Sequence, residues 1–160
     1  MGTQAKYYQV IKGKEQIAVK FLKVDEDFYN TLNDTEIVTG KIDIDNSYNN
    51  LPKLLEHLSG NSELGKLAFF GKKIESENNY ECPVQFINRK LVAEIADVMS
   101  HSKIEKKDEF IRVFNETQEA PYDRIQYKNL LDGYWFHYNA ILEFYSECKI
   151  ENSAVLVLIS

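Results

Sequence analysis

An α+β fold is predicted by three observations. β-rich runs open and close the chain, AKYYQVI at 5–11 and AVLVLI at 154–159. Helical periodicity recurs several times between them. Strands and helices mix without a regular βαβ alternation. The expected architecture is a single domain with a mixed sheet that includes the C-terminal strand. Several helices pack against it, the last of them long and rich in aromatic residues.

Taken in order, residues 5–11 form a first strand, rich in Tyr, Val and Ile, and Gly13 ends it. Residues 14–24 fit either a helix through Ile17, Phe21 and Leu22 or a second strand, IAVKFLKV. Asp25 to Leu32 has Phe28 and Leu32 one helical turn apart. Glu36 to Asp45 alternates, with Ile37, Ile42 and Ile44 apolar and Asp43 and Asp45 polar, as a half-buried strand does. Pro52 suits the first turn of a helix. Leu51, Leu54, Leu55 and Leu58 are its apolar stripe and Gly60 its stop. LAFF at 67–70 is a buried strand or helix ended by Gly71, and residues 75–82 are a polar loop.

Val84 to Ile87 is a brief strand, and Asn88 caps a helix with Leu91, Val92, Ile95, Val98 and Met99 on one face. Ser102 and Glu105 have the spacing of a capping box, ahead of a helix that buries Phe110, Ile111 and Phe114. Pro121 marks a break. From Asn129 to Lys149 the stripe is Leu131, Trp135, Tyr138, Leu142 and Tyr145. The continuous apolar run at 154–159 suits a strand covered on both faces.

The chain has 160 residues and a net charge of −6, unevenly spread. Residues 1–24 carry five Lys and one Glu, whereas residues 25–63 carry nine acids and two Lys. The overall acidity argues against nucleic-acid binding, which requires Lys and Arg to displace phosphate counterions. The acidic stretch is instead a candidate surface for a basic protein partner, with Asp25, Glu26, Asp27, Asp34 and Glu36 at its centre. Cys82 and Cys148 have no metal-type spacing and read as free thiols of a reducing compartment. No run approaches the roughly 18–20 apolar residues of a membrane span, and no signal peptide is recognisable. A cytoplasmic protein is expected.

Candidate chemistry centres on KIDIDNSYNNLPKLLEHLSG, residues 41–60. Asp43 and Asp45, two apart on a strand, share one face, and such carboxylates hold a hard cation or divide acid and base roles. A calcium loop is not met, because Leu54 stands where its bidentate Glu belongs. A structural role for Asp45 or Ser47, capping backbone N–H groups where strand becomes helix, is favoured. A small-ligand site at this turn would gather Asp43, Asp45, Ser47, Tyr48 and His57. The three histidines lack metal-ligand spacing, and no nucleophile elbow, phosphate loop or dinucleotide fingerprint is present. No catalytic residue, metal or cofactor is therefore assigned.

KIDIDNSYNNLPKLL resembles the LDIDKSWHGLHYLL type of segment found in the YfbM-like family, small bacterial proteins carried as a domain of unknown function. YECPVQFINRKLVAEIADVM is similar to its YGPARYLTPEEVKEIAAAL type, with Tyr80, Pro83, Phe86 and Val92 in register. The long aromatic helix followed by a closing strand fits as well. The resemblance is best over residues 36–160, and residues 12–35 match poorly. Asn46 replaces the usual Lys, Tyr48 the usual Trp and Cys82 the usual Gly. It implies an α+β domain and a bacterial source, and brings no activity to carry over. The expectation is a non-catalytic interaction protein, of which an immunity-type protein neutralising a toxin is one form. The alternative is an enzyme or small-ligand binder at the Asp43–Tyr48 turn.

Overall fold

A computed structural model describes residues 4–16, 26–73 and 84–160. The expectations for residues 17–24, for Asp25 and for the loop at 75–82 lie outside them. In chain order the elements are β1 (Ala5–Val10), α1 (Glu26–Leu32), β2 (Val38–Asp43), a 3-10 turn (Asp45–Asn49), α2 (Leu51–Ser59), α3 (Ser62–Phe70), β3 (Lys72–Lys73), β4 (Val84–Ile87), α4 (Arg89–His101), α5 (Lys107–Glu116), α6 (Lys128–Ile150) and β5 (Ala154–Ile159).

The strands form one sheet in the order β2-β1-β5-β4-β3. The expected α+β class and the place of the C-terminal strand in the sheet both hold. Every ladder among the described residues is antiparallel, so over these residues the sheet is antiparallel where a mixed one was expected. β5 lies between β1 and β4, which explains its unbroken apolar sequence. Val155 and Val157 join the larger core on one face, while Leu156 and Leu158 join the smaller core on the other. Side chains alternate along β1 in the same way, Tyr7 into the larger core and Tyr8 into the smaller. Helices α2 to α6 build the larger core, and α1 covers the other face with Phe28 and Leu32.

LAFF proves to be the end of a helix, α3, which Asn61 caps by accepting from Leu64 N–H at 3.0 Å. Its C-terminal carbonyls, which the helix itself leaves unpaired, are met by two tyrosines. Tyr7 of β1 donates its hydroxyl to Phe69 O at 2.8 Å, and Tyr145 of α6 donates to Ala68 O. α2 packs on α3 so closely that a Cβ on Gly65 would stand 2.6 Å from Glu56 Cγ and 3.0 Å from Pro52 O.

Asn88 caps α4 as expected, accepting from Leu91 N–H at 2.9 Å. The expected capping box at Ser102 does not form. Ser102 closes α4, its hydroxyl donating to Val98 O at 2.7 Å, and α5 starts only at Lys107. Between them Ile104 is buried, and its N–H is held by the Tyr138 hydroxyl at 2.9 Å. A tertiary anchor on α6 thus outweighs the local capping pattern.

Candidate functional site

The stretch after β2 is shaped by two aspartates in different conformations. The strand ends at Asp43, whose Oδ1 accepts the N–H of Asp45 at 2.9 Å. Asp45 has φ +44, a left-handed backbone that Asp tolerates better than most residues. The two side chains therefore do not project from one strand face. Neither Asp45 nor Ser47 caps the following helices: the 3-10 turn and α2 both lack a side-chain cap. The first N–H of the 3-10 turn is instead held by Asp43, the last residue of β2.

The tight turn aims Ser47 and Asn50 at the final helix. On α6, Tyr134 and His137 are three residues apart and share a face. Ser47 Oγ lies 2.6 Å from His137 Nδ1. Asn50 Nδ2 donates to the Tyr134 hydroxyl, and to that of Tyr122 at 3.3 Å. Tyr122 is held in turn by Asn115 of α5, which accepts its N–H and donates to its carbonyl, both at 3.0 Å. A polar seam thus joins the turn after β2, α6 and the end of α5.

Burial pushes the His137 imidazole below its ordinary pKa, while the negative charges of Asp45 and Asp43 work in the opposite direction. Burial also pushes the Tyr134 hydroxyl up to about 12, helped by its hydrogen bond and charge interaction with Tyr122 and opposed by Asn50. A hydroxyl, an imidazole and two carboxylates that act on that imidazole are a set able to hold and move a proton. Ser47, however, is only 4% exposed, so its oxygen is engaged within the fold.

Of the five residues foreseen at this turn, Ser47 contacts His137, and the charges of Asp43 and Asp45 act on its ring. Tyr48 does not join them. It is buried against Phe70, with ring centroids 6.0 Å apart, edge to face. His57 also stands apart, exposed on α2 with Nε2 4.0 Å from Glu116 Oε2, beside a shallow cleft that Lys53, Ser62 and Thr117 help to line. His137 was missed because nothing local marks it: its partner is 90 residues away. Among the described residues no group of three or more His, Cys, Asp or Glu side chains is placed to hold a metal ion.

The other foreseen surface lies on and after α1. Glu26, Asp27, Asp34 and Glu36 are all exposed. Among the described residues none of the four forms an ion pair, and no Lys or Arg occurs from 26 to 40. On the helical side Asp97, Asp108, Asp132 and Glu116 each pair with a Lys or Arg carried within that side. Tyr29, 47% exposed, stands among the unpaired acids with its ring edge-to-face on Phe28.

The sequence model of a domain of unknown function, DUF1877, matches residues 1–158. The chain belongs to the DUF1877 family. The DUF1877 fold is also similar to a solved structure, that of a protein of unknown function, YfbM from Escherichia coli. The TM-score is 0.59 at 13% identity, over 98% of this chain and 99% of that one. At that identity the likeness is one of fold alone, and it agrees with the YfbM-like resemblance read from the sequence. No curated protein matches the chain significantly.

The aromatic set on the last helix of this DUF1877 chain is mostly core. Tyr134, Tyr138, Phe144 and Tyr145 are buried and Trp135 is half-buried, while Phe136 is 69% exposed. No helix among the described residues is long and apolar enough to cross a membrane.

Proposed function

We propose that this DUF1877 protein is a non-catalytic interaction protein of the bacterial cytosol. It holds a basic protein partner on the acidic surface of α1 and the turn before β2, in the manner of an immunity protein masking a toxin. One observation carries this reading: Glu26, Asp27, Asp34 and Glu36 are exposed and form no ion pair among the described residues, around an exposed Tyr29 and in a stretch, 26–40, without Lys or Arg. Unmatched charge of one sign accelerates encounter with the opposite sign, and an exposed tyrosine supplies an anchor at low entropic cost. The test is affinity purification from the native host at low and at high salt. A stoichiometric basic partner is expected, released by salt and lost in the variant Glu26→Lys/Asp27→Lys/Asp34→Lys/Glu36→Lys. A partner that ignores both changes, or no partner at all, overturns the proposal.

The Ser47–His137 contact beside Asp43 and Asp45 favours a second reading, a small-ligand or catalytic site at that turn. Its support is the depressed basicity of His137, since an imidazole kept neutral near carboxylates is poised to accept a proton. Thermal-shift screening of small metabolites tests it. Hits that vanish in His137→Gln support the reading, and a screen without such hits removes it.

A further inference from the structure

β2 is an edge strand of the sheet formed by the described residues. Its backbone phase follows from β1. Gln4 and Ser160 exchange both backbone hydrogen bonds, at 2.7 and 3.0 Å. By alternation, Lys6 and Tyr8 direct their N–H and C=O groups to β5. Ala5, Tyr7 and Gln9 direct theirs to β2, where Ala5 O accepts Ile44 N–H at 3.1 Å. Ile42 stands opposite Tyr7 and Gly40 opposite Gln9, so both point inward. Lys41 and Asp43 therefore turn their N–H and C=O groups away from the sheet. Among the described residues nothing bonds to these four groups.

The charge along this edge is mostly negative. Asp34 and Glu36 precede β2, and Asp43 and Asp45 end it, all exposed and without an ion pair among the described residues. Lys41 is the one base from 34 to 45. Lys6 stands opposite Asp43, and Lys12 and Lys14 follow β1. Glu26 and Asp27 of α1 keep the acids in excess. Tyr8, opposite Lys41, packs in the smaller core with Phe28, so α1 and the side chains of Lys41 and Asp43 share one face. Burial, then Tyr29 and Asp43, push the Tyr8 hydroxyl up, as their nearness on that face requires.

We propose that the partner docks by adding a strand to this edge: an extended segment, basic at both ends and uncharged opposite Lys41, continues the sheet beyond β2. This deepens the proposed function and rests on it. Backbone bonds to Lys41 and Asp43 supply affinity, and alternate side chains that meet the acids supply the choice of partner. From Glu36 to Asp43 the segment spans roughly 23 Å of extended chain. A lysine on an edge discourages strand pairing, and Lys41 rejects segments that place a base at its position. A second copy of this chain is not the occupant, because its β2 would bring the same excess of acids to the same acids.

Amide hydrogen exchange of the full chain tests the proposal. The probe is a synthetic peptide of about ten residues, a typical strand at its longest, alternating Val with Lys at both ends and with Thr in the middle. The Lys41 and Asp43 amides are expected to slow at least about tenfold, while Ile42 N–H, already in the β1 ladder, is unchanged. Methylating the peptide nitrogens on the ladder side keeps its charge and removes its donors, and is expected to weaken binding at least about tenfold. Lys41→Pro, at an edge position that tolerates proline, is expected to weaken it likewise, and Lys41→Thr is not. Circular dichroism verifies the fold of both variants, and the methylated peptide requires neither. Binding that leaves the two amides unprotected, binding indifferent to methylation, or no binding at about 1 mM overturns the proposal. A salt-released partner from the native host that leaves these amides exposed removes the added strand and keeps the acidic surface.

Discussion

Ser47 and His137, 90 residues apart, meet with Oγ 2.6 Å from Nδ1, and this contact ties the turn after β2 to the middle of the last helix. In the neutral ring with its proton on Nε2, Nδ1 accepts from the serine hydroxyl. Protonation makes Nδ1 a donor and obliges that hydroxyl to turn its hydrogen elsewhere within a buried turn.

Stability should therefore depend on pH through His137. Its folded pKa lies below the ordinary value of about 6.5 because the ring is partly desolvated. Between the lowered folded value and about 6.5 the unfolded chain binds more protons than the folded one. The contribution is complete above about pH 6.5 and is lost as pH falls through the lowered value. Urea unfolding at several pH values is expected to show a slope in that window, flattened in His137→Gln. An identical slope in the variant assigns the effect to other groups.

Ser47→Ala removes the hydroxyl and leaves Nδ1 without this partner. A loss of about 1 kcal/mol is expected by urea unfolding at pH 7.5, the net worth of an ordinary hydrogen bond. No loss would mean that water replaces the hydroxyl at no cost.

Tyr7→Phe and Tyr145→Phe each strand a carbonyl at the C-terminus of α3 inside the core. Each is expected to cost about 1–3 kcal/mol. In a chain of this size that corresponds to roughly 2–4 °C of melting temperature per kcal/mol. Because the two hydroxyls serve adjacent carbonyls, the double variant is expected to depart from additivity, which a double-mutant cycle measures.

Gly65→Ala places a methyl against α2, where the neighbours at 3.0 and 3.2 Å are backbone atoms, Pro52 O and Glu56 N. Alanine's better helix propensity is worth about 1 kcal/mol, and the helices must still separate to admit the methyl. Net destabilisation of roughly 1–2 kcal/mol is expected from calorimetry. A stabilised variant would show that α2 and α3 shift apart freely.

Cys148 is fully buried, and burial, reinforced by the Glu147 charge, pushes its thiol up to about 12. In a Cys82→Ser background the native protein is expected to resist thiol reagents at pH 8, and to react fully once unfolded. Rapid labelling of the native form would place Cys148 at a surface that opens.

The elements readable from sequence were those whose signal is local. The Leu51–Leu58 stripe, the Asn88 cap and the apolar run at 154–159 each depend on residues within a turn or two, and each took its expected form. The failures have two causes. Ser102 and Glu105 have the spacing of a cap, but a distant partner, Tyr138, fixes the backbone at Ile104. Asp43 and Asp45 have the spacing of a strand face, but a local turn, with Asp43 Oδ1 on the N–H of a left-handed Asp45, ends the strand between them.

Sequence by itself determined the α+β class, the buried closing strand and the acidic character of residues 25–63, because periodicity and composition need no partner. Only the tertiary structure decided that Ser47 meets His137 while Tyr48 and His57 go elsewhere. It alone separated the acids of α1, unpaired among the described residues, from those that bases neutralise on the helical side. The physical reason is that hydrogen bonds, ion pairs and desolvation act over a few ångströms of space, and a linear chain does not record which residues folding brings within that distance.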